Sequence, residues 1–188
     1  MMLEDSLRTA PIVRKGNYNY VIHPITDGIP YIEPELLEEV VERMLKITDM
    51  HGIDRIVTAE AMGIPIASLM SVKTGIPFTI IRKREYGLEG EISVHQVTGY
   101  SSANLYINGI EPDSSVILVD DVLSTGGTLV AIAQALRKTG AHLREVLIAV
   151  DKSENRAAIE PVIGVPIKAL VRIKAYPERV DILESAGL

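Results

Sequence analysis

The chain has 188 residues, 47% of them apolar and 23% charged, which fits one soluble globular domain with a full core. Its net charge of −6 argues against a nucleic-acid-binding surface, which would need a basic patch. The lack of cysteine excludes disulfides, thiolate zinc sites and a cysteine nucleophile. No apolar run reaches the ~20 residues that span a bilayer, and no signal-peptide pattern opens the chain. We therefore expect a cytoplasmic protein without a membrane partner.

The first part of the chain alternates between helical and strand patterns. Residues 1–15 are weakly patterned and predict an arm with about one helical turn, and 18–31 predict turns with a short strand. The elements that follow are an amphipathic helix from Pro34 toward Gly52, a strand over 54–58, a helix over 64–72 and a strand over 78–81. This order predicts a parallel sheet with right-handed crossovers.

Residues 86–102 break this alternation with three glycines and mixed charge, which is typical of a functional lid. The flanking segments 91–97 and 104–107 are expected to pair as a hairpin. The predicted elements after the lid are a strand over 116–119, a helix to about Lys138, a strand over 144–150, a short helix or loop over 151–159, a strand over 166–173 and a C-terminal tail. The predicted fold class is α/β, with an open, mainly parallel twisted sheet flanked by helices.

The stretch 116–129 combines a buried strand, two aspartates, a small-residue loop and a helix N-terminus. Unpaired backbone N–H groups and the helix dipole favour an anion at such a helix start. Gly126 and Gly127 permit close approach of a phosphate to the main chain, and Ser124, Thr125 and Thr128 add hydroxyl donors. The stretch therefore predicts a site for a phosphorylated ligand.

Asp120 and Asp121 point to opposite faces of a strand, so they can act together only where the strand ends. Two carboxylates repel a phosphate unless a cation lies between the carboxylates and the phosphate. They avoid this repulsion too if they bind another part of the ligand. Mg²⁺ or sugar hydroxyls meet that need. The alternative is a solvated acidic turn before an N-capped helix, and the complete strand–loop–helix arrangement favours the ligand site.

Two further segments follow predicted strand ends, where parallel sheets bind ligands. Residues 58–63 are either a second anion cradle or an ordinary strand-to-helix turn. Arg82, Lys83 and Arg84 are either charge clamps for a highly charged ligand or a solvated basic surface. The four histidines show no metal-ligand spacing, although His95 lies in the lid and could act as a gate or proton carrier. No P-loop, dinucleotide fingerprint or nucleophile elbow is present, so kinase, dehydrogenase and serine-hydrolase functions lack support.

Residues 116–128 resemble the phosphoribosyl pyrophosphate (PRPP) signature of type I phosphoribosyltransferases. The segments 16–20, 23–30, 58–65 and 81–87 further resemble the archaeal hypoxanthine/guanine phosphoribosyltransferase group, which is similar in architecture to the adenine enzymes. Two departures from the adenine enzymes stand out: Met62 replaces a usual arginine, and Thr98-Gly99-Tyr100-Ser101 replaces a Glu-Tyr-Gly triplet.

The resemblance implies transfer of the 5-phosphoribosyl group of PRPP to hypoxanthine or guanine, giving IMP or GMP and pyrophosphate. It implies one phosphoribosyltransferase domain over residues 1–188, with hood elements at about 1–33 and 165–188 and a mobile lid at about 83–105. It also implies a homodimer whose partners are PRPP and a purine base, with no nucleic acid or membrane.

The resemblance also implies a role for each candidate residue. The catalytic pair is Asp120 and Asp121, which also bind Mg²⁺ together with PRPP. The 5′-phosphate site comprises Leu123, Ser124, Thr125, Gly126, Gly127 and Thr128. The pyrophosphate site comprises Glu60, Ala61, Met62, Gly63, Arg82 and Lys83. Lys152 is either a donor to the purine O6 or a surface lysine, and Val171 contributes to the wall or backbone contacts of the base.

The sequence is also compatible with two other functions. The same chemistry on adenine would give AMP. A non-catalytic PRPP-binding regulator would keep the fold without turnover, and a regulator of nucleic acid would need a basic face that this acidic chain lacks.

Overall fold

The computed structural model describes residues 1–16, 18–97 and 102–187. The helices in these ranges are α1 Met2–Thr9, α2 Pro24–Asp27, α3 Pro34–Ile47, α4 Gly63–Thr74, α5 Gly127–Thr139 and α6 Arg156–Ile163. The strands are β1 Ile12–Lys15, β2 Tyr18–Val21, β3 Arg55–Ala59, β4 Phe78–Ile81, β5 Ile92–Val97, β6 Ser102–Ile107, β7 Ser115–Leu123, β8 His142–Asp151, β9 Ile167–Ala175 and β10 Val180–Ser185.

A central sheet of six strands runs in the order β10-β9-β8-β7-β3-β4. All neighbouring pairs are parallel except β10 with β9, so the predicted α/β fold with a mainly parallel sheet is confirmed. No helix within the described ranges combines the length and apolar character that crossing a bilayer requires.

Helices cover both faces of this sheet, which explains the unbroken apolar runs in its inner strands. Successive residues of β7 enter different cores because strand side chains alternate between faces. Ile117 and Val119 pack with α1, α3 and α4 on one face. Val116 and Leu118 pack with α5, α6 and the hairpin of β5 and β6 on the other.

Both ends of the chain are more ordered than the sequence indicates. The expected N-terminal arm contains the two-turn helix α1, which is held by the fully buried side chains of Leu3 and Leu7. These residues lie one turn apart on the same helix face. The expected C-terminal tail is wrong, because residues 180–185 form β10 at the edge of the sheet. The C-terminal part of the expected hood therefore continues the central sheet.

A buried ion pair joins the two ends of the chain to α3. Arg43 donates to both carboxylate oxygens of Glu4, with N–O distances of 2.7 and 3.1 Å. Its guanidinium also donates to the carbonyl oxygen of Ala186. The Glu4 and Arg43 side chains are only 6% and 4% exposed, so the N-terminal helix, α3 and the C-terminal residues pack as one unit.

The predicted pairing of segments 91–97 and 104–107 is confirmed: β5 and β6 pair in antiparallel register from Ile92 with Ile107 to Val97 with Ser102. A backbone bridge joins Arg82 and Tyr106, so the hairpin is attached to the end of β4. The buried side chains of Leu105 and Ile107 pack in the α5 core. The segment Thr98-Gly99-Tyr100-Ser101 lies outside the described residues, and motion of the lid stays a prediction.

Candidate functional site

A cavity of about 330 Å³ opens where the carboxyl ends of β3 and β7 meet. Its lining residues are Ala59, Glu60, Lys83, Leu105, Asp120, Asp121, Val122, Leu123, Ser124, Thr125, Gly126, Thr128 and Leu129. The structure thus brings together the acidic pair, most of the 5′-phosphate loop and parts of the other two predicted segments. This position agrees with the general rule that open α/β sheets bind ligands at the carboxyl ends of their strands.

The acidic pair lies inside β7 rather than beyond it, which corrects the expectation that the strand ends there. Pairing of β7 with β3 stops at Leu118, whereas pairing with β8 continues to Leu123. The strand is therefore open on one side only, and this opening lets both carboxylates line the cavity. The backbone N–H of Asp121 donates to Asp120 Oδ1 at 3.0 Å.

Burial dominates the electrostatics of the pair. It raises the pKa of the Asp120 carboxyl, and burial together with the neighbouring Asp120 charge raises the pKa of Asp121. The ammonium of Lys152 opposes the shift at Asp121. Each carboxylate is therefore poorly compensated, and a cation or hydroxyl donor in the cavity would stabilise the ionised pair.

The loop after β7 consists of Ser124, Thr125 and Gly126, and α5 begins at Gly127. The predicted loop over 124–128 is thus shorter, because Gly127 and Thr128 already belong to the first helical turn. Gly126 has φ +79°, a left-handed conformation that residues with a Cβ resist. Its backbone turn directs the N-terminus of the 13-residue helix α5 at the cavity.

The loop after β3 contains Glu60, Ala61 and Met62, with a cis peptide between the first two, and α4 begins at Gly63. A Cβ on Gly63 would lie 2.2 Å from Thr58 Oγ1 and 3.0 Å from Asp120 Oδ1. Only glycine therefore lets the start of α4 pack this closely against β3 and β7. The predicted second loop adjoins the acidic pair as expected for one binding site.

The basic segment after β4 contacts this second loop. Arg82 Nε lies 2.7 Å from Glu60 Oε2, and the backbone N–H of Lys83 donates to Glu60 Oε1 at 2.9 Å. Lys83 also lines the cavity, whereas Arg84 lies over the ring of Tyr86 at 5.7 Å. Lys83 therefore lies at the cavity, Arg82 lies beside it against Glu60, and Arg84 lies on an exposed stretch.

Lys152 follows β8 and is half-buried, so it is not a freely solvated surface lysine. Its ammonium donates to the carbonyl oxygen of Val21 at 3.4 Å and lies 5.7 Å from the centre of the Tyr20 ring. Burial lowers its pKa, while the charges of Asp27 and Asp121 oppose that shift. Lys152 thus lies between the acidic pair and the N-terminal elements.

A polar network beside Lys152 was not identified from the sequence. Asp27 accepts hydrogen bonds from Tyr20 Oη and Thr26 Oγ1, both at 2.6 Å, and from the His23 N–H at 2.9 Å. His23 is fully buried, and its Nδ1 accepts the Ile25 N–H, so Nε2 carries the proton that faces Ser6. The signal that could have located it is the His-Pro-Ile-Thr-Asp-Gly run, whose polar residues cap α2.

A second cavity of about 490 Å³ lies beside Lys152, at the carboxyl ends of β8 and β9. Its lining includes Tyr18, Asn19, Arg172 and Lys174. Val171 does not reach this cavity, because its side chain is fully buried in the core on the α3 side. The next residue of β9, Arg172, takes that place because neighbouring strand residues face opposite sides.

Comparisons with known proteins agree with this architecture. A family model described as "Phosphoribosyl transferase domain" matches residues 32–170. A hypoxanthine/guanine phosphoribosyltransferase of Methanocaldococcus infernus is 52% identical over 182 residues, which cover 97% of this chain and 100% of the relative. One from Methanotorris igneus is 49% identical over 183 residues, covering 97% of this chain and 100% of that protein.

Solved structures share the fold at low sequence identity. An adenine phosphoribosyltransferase of Thermoanaerobacter pseudethanolicus superposes with a TM-score of 0.73 at 20% identity, covering 90% of this chain and 99% of that one. The adenine enzyme of Saccharomyces cerevisiae gives a TM-score of 0.72 at 19% identity, covering 89% and 96%. At this identity the structural similarity shows a shared fold and does not indicate which base this chain uses.

Proposed function

Because the chain belongs to the phosphoribosyl transferase family, we propose that it transfers the 5-phosphoribosyl group of PRPP to hypoxanthine or guanine, with IMP or GMP and pyrophosphate as products. The observation that carries the proposal is the acidic pair Asp120 and Asp121, which lies between two strand-to-helix loops at one cavity. PRPP carries phosphate groups at both ends of a ribose, and this arrangement offers two anion sites with acids between them.

The first loop is proposed to bind the 5′-phosphate. Its backbone N–H groups and hydroxyls converge at the start of α5, where the helix dipole favours negative charge. The residues with this role are Leu123, Ser124, Thr125, Gly126, Gly127 and Thr128. Among them, Leu123 is buried and acts by holding the loop on β7.

The second loop is proposed to bind the pyrophosphate. The start of α4 supplies backbone N–H groups through Ala61, Met62 and Gly63, and Lys83 supplies a positive charge at the cavity. Met62 contributes no charge, so the cationic part of this site rests on Arg82 and Lys83.

Asp120 and Asp121 are proposed to hold the ribose hydroxyls and to stabilise the positive charge that develops on the ribose as pyrophosphate leaves. No group of three or more His, Asp or Glu side chains in the described part of the chain forms a metal cage. Two carboxylates at the cavity fit Mg²⁺ that takes most of its oxygen ligands from PRPP. When bound, Mg²⁺ would neutralise phosphate charge and help fix the ligand.

Lys152 is proposed to select the base. Its ammonium has three donors and no acceptor, so it matches the O6 acceptor of hypoxanthine or guanine and opposes the amino group of adenine. The neighbouring cavity of about 490 Å³ offers space for a purine. The backbone of β9 beside Val171 supplies one wall of the base site in this proposal.

The deciding experiment is a nucleotide-formation assay with PRPP, Mg²⁺ and each of hypoxanthine, guanine and adenine. We expect IMP and GMP and little AMP. Turnover with adenine alone would overturn the proposed base, and PRPP binding without turnover on any base would make the chain a non-catalytic PRPP-binding protein. Omission of Mg²⁺ with added chelator should abolish product formation.

The proposed enzyme acts in the cytoplasm as a homodimer on PRPP and a purine base, without nucleic acid or membrane. Ile29 and Tyr31 expose 56% and 63% of their surface close together in the chain, and we propose that the partner protomer covers them. Light scattering at micromolar concentration should give twice the mass of one chain. A monomeric mass at that concentration would contradict the homodimer.

A further inference from the structure

We propose that Glu60 is a positioning residue that holds Arg82 and the start of the lid in place for pyrophosphate, and that it does not bind pyrophosphate itself. This inference rests on the proposed function, and it changes the role that resemblance gives to Glu60. Its basis is the pair of contacts from one carboxylate to two consecutive residues, Arg82 and Lys83.

Glu60 extends the pairing of β3 and β4 by one residue. Its backbone N–H donates to the carbonyl oxygen of Ile81 at 3.1 Å, just before its side chain contacts the next two residues. Arg82 in turn exchanges backbone hydrogen bonds with Tyr106, at 3.0 and 2.7 Å. One chain of contacts therefore runs from the second loop through Glu60 and Arg82 to β6 of the lid hairpin.

The charges at the cavity argue against direct contact between Glu60 and pyrophosphate. Asp120, Asp121 and Glu60 bring three carboxylates to this cavity, and Lys83 is the cationic side chain among the described residues that line it. A polyanion that touched Glu60 would meet like charge and would compete with Arg82 for this carboxylate's surroundings. The carboxylate is instead turned toward Arg82 and the Lys83 backbone, with its side chain 20% exposed.

The geometry of the ion pair leaves Arg82 able to bind a second anion. Glu60 contacts Nε of the guanidinium, and a guanidinium has four further N–H donors on its two Nη atoms. The Arg82 side chain is 42% exposed, so those donors can reach a phosphate beside the second loop. Without Glu60, the long Arg82 side chain would lose the contact that orients it, and binding would cost more conformational entropy.

A double-mutant cycle between Glu60→Gln and Arg82→Gln tests the proposal. Glutamine keeps an oxygen for the Lys83 N–H but removes the charge that holds Arg82. We expect Glu60→Gln to raise KM for PRPP about tenfold, because Arg82 loses the charged contact that orients it and must be ordered on binding, with KM for the base unchanged. In the Arg82→Gln background the same change should have an effect of about twofold or less.

Isothermal titration calorimetry with inorganic pyrophosphate and Mg²⁺ measures pyrophosphate affinity for the same variants in the absence of turnover. A tenfold effect of Glu60→Gln that persists in the Arg82→Gln background would overturn the proposal, since Glu60 would then act independently of Arg82. Tighter pyrophosphate binding by Glu60→Gln would also overturn it, since Glu60 would then compete with the ligand. Glu38→Gln is the matched control, because Glu38 is an exposed carboxylate paired with Lys73 on α3 and α4.

The two proposals fail in different ways. If the wild-type chain forms no nucleotide with any base, the proposed function is wrong, and the pyrophosphate titration still tests the role of Glu60. If the wild type is active and Glu60→Gln leaves both KM for PRPP and pyrophosphate affinity unchanged, only the role of Glu60 is wrong.

Discussion

The two loops that flank the acidic pair share a sequence pattern but depend on glycine for different physical reasons. Both connect a buried strand to a helix, and both place glycine where the helix begins. In the loop after β7, Gly126 is needed for its backbone angle, φ +79°. In the loop after β3, Gly63 has no positive φ, and it is needed because a Cβ would collide with Thr58 and Asp120.

The two loops also rest on different supports. Gly126 lies against the side chain of Ile159 on α6. Met62 of the other loop lies against Gly28 at the end of α2. A defect in α6 should therefore affect the 5′-phosphate site, whereas a defect in α2 should affect the pyrophosphate site. Substitutions at each loop should separate these contributions.

The largest effect is expected from removal of both charges between the loops. Asp120→Asn with Asp121→Asn should lower kcat/KM by about 1000-fold, because stabilisation of a developing charge is lost. Stability should not fall, since burial disfavours both ionised carboxylates. Steady-state kinetics and urea unfolding check the two parts. Asp113→Asn, which changes an exposed residue before β7, is the control. Near-normal activity of the double variant would show that the loops act without the acids.

The next effect concerns the space at Gly63. Gly63→Ala should cost about 3 kcal/mol of unfolding free energy, because its Cβ would lie 2.2 Å from Thr58 Oγ1 in a close-packed region. Thr58→Ala removes that oxygen, which is buried without a hydrogen-bond partner among the described residues. The double variant Thr58→Ala with Gly63→Ala should therefore recover part of the loss in urea unfolding. No recovery would mean that Asp120 or the β7 backbone sets the limit.

Low pH should destabilise α2, which supports the second loop through the contact of Gly28 with Met62. Burial lowers the pKa of His23 to about 4, below its ordinary value near 6.5, so the unfolded chain binds this proton first. The stability from neutral His23 is complete above pH 6.5 and is lost as the pH falls toward 4. Between pH 7 and pH 5 the loss is about 2 kcal/mol.

Comparison with His23→Asn isolates this contribution, because asparagine can still cap α2 and does not titrate. The stability advantage of the wild type over this variant should shrink by about 2 kcal/mol from pH 7 to pH 5 in urea unfolding. His51→Asn, at an exposed position, serves as the control. An advantage that stays constant with pH would show that His23 titrates normally.

The smallest effect is expected at Gly126. Gly126→Ala should cost about 1 kcal/mol, because alanine resists the left-handed region. The added Cβ would lie 2.6 Å from Ile159 Cδ1, which can rotate away, and 3.0 and 3.1 Å from Cγ1 and Cγ2, contacts that a shift of a few tenths of an ångström relieves. Ile159→Val should therefore restore little when combined with Gly126→Ala, in contrast to the partial rescue at Gly63. Full rescue by Ile159→Val would mean that space rather than backbone angle requires this glycine.

Local patterns were sufficient to predict the inner part of the fold. The apolar strand at 116–119 and the glycine that ends α5 at Gly140 both lie in the structure where the sequence placed them. The edges were harder, because β10 exposes three of its six residues and has no apolar run longer than two residues. The helix α1 is longer than the predicted single turn, because its two buried leucines give too short a periodicity to indicate its length.

The site was predictable where one continuous segment contains both the reactive side chains and the loop beside them. The acidic pair and the following loop are contiguous, so their proximity follows from the chain itself. The contact of Glu60 with Arg82 and the network of Tyr20, Asp27 and Lys152 join residues far apart in sequence. Their proximity depends on strand order and on the packing of α2, which no local pattern contains.

The ion pair of Glu4 with Arg43 has a practical consequence for handling the chain ends. Met2 and Leu3 donate backbone hydrogen bonds to Glu39 on α3, and Ala186 accepts from Arg43 on the same helix. Both termini are therefore fastened to neighbouring turns of one helix. A short peptide linker could join them into a circularly permuted chain with new ends elsewhere. Removal of the first residues through Glu4 would instead leave the buried Arg43 guanidinium without one of its two carboxylate partners.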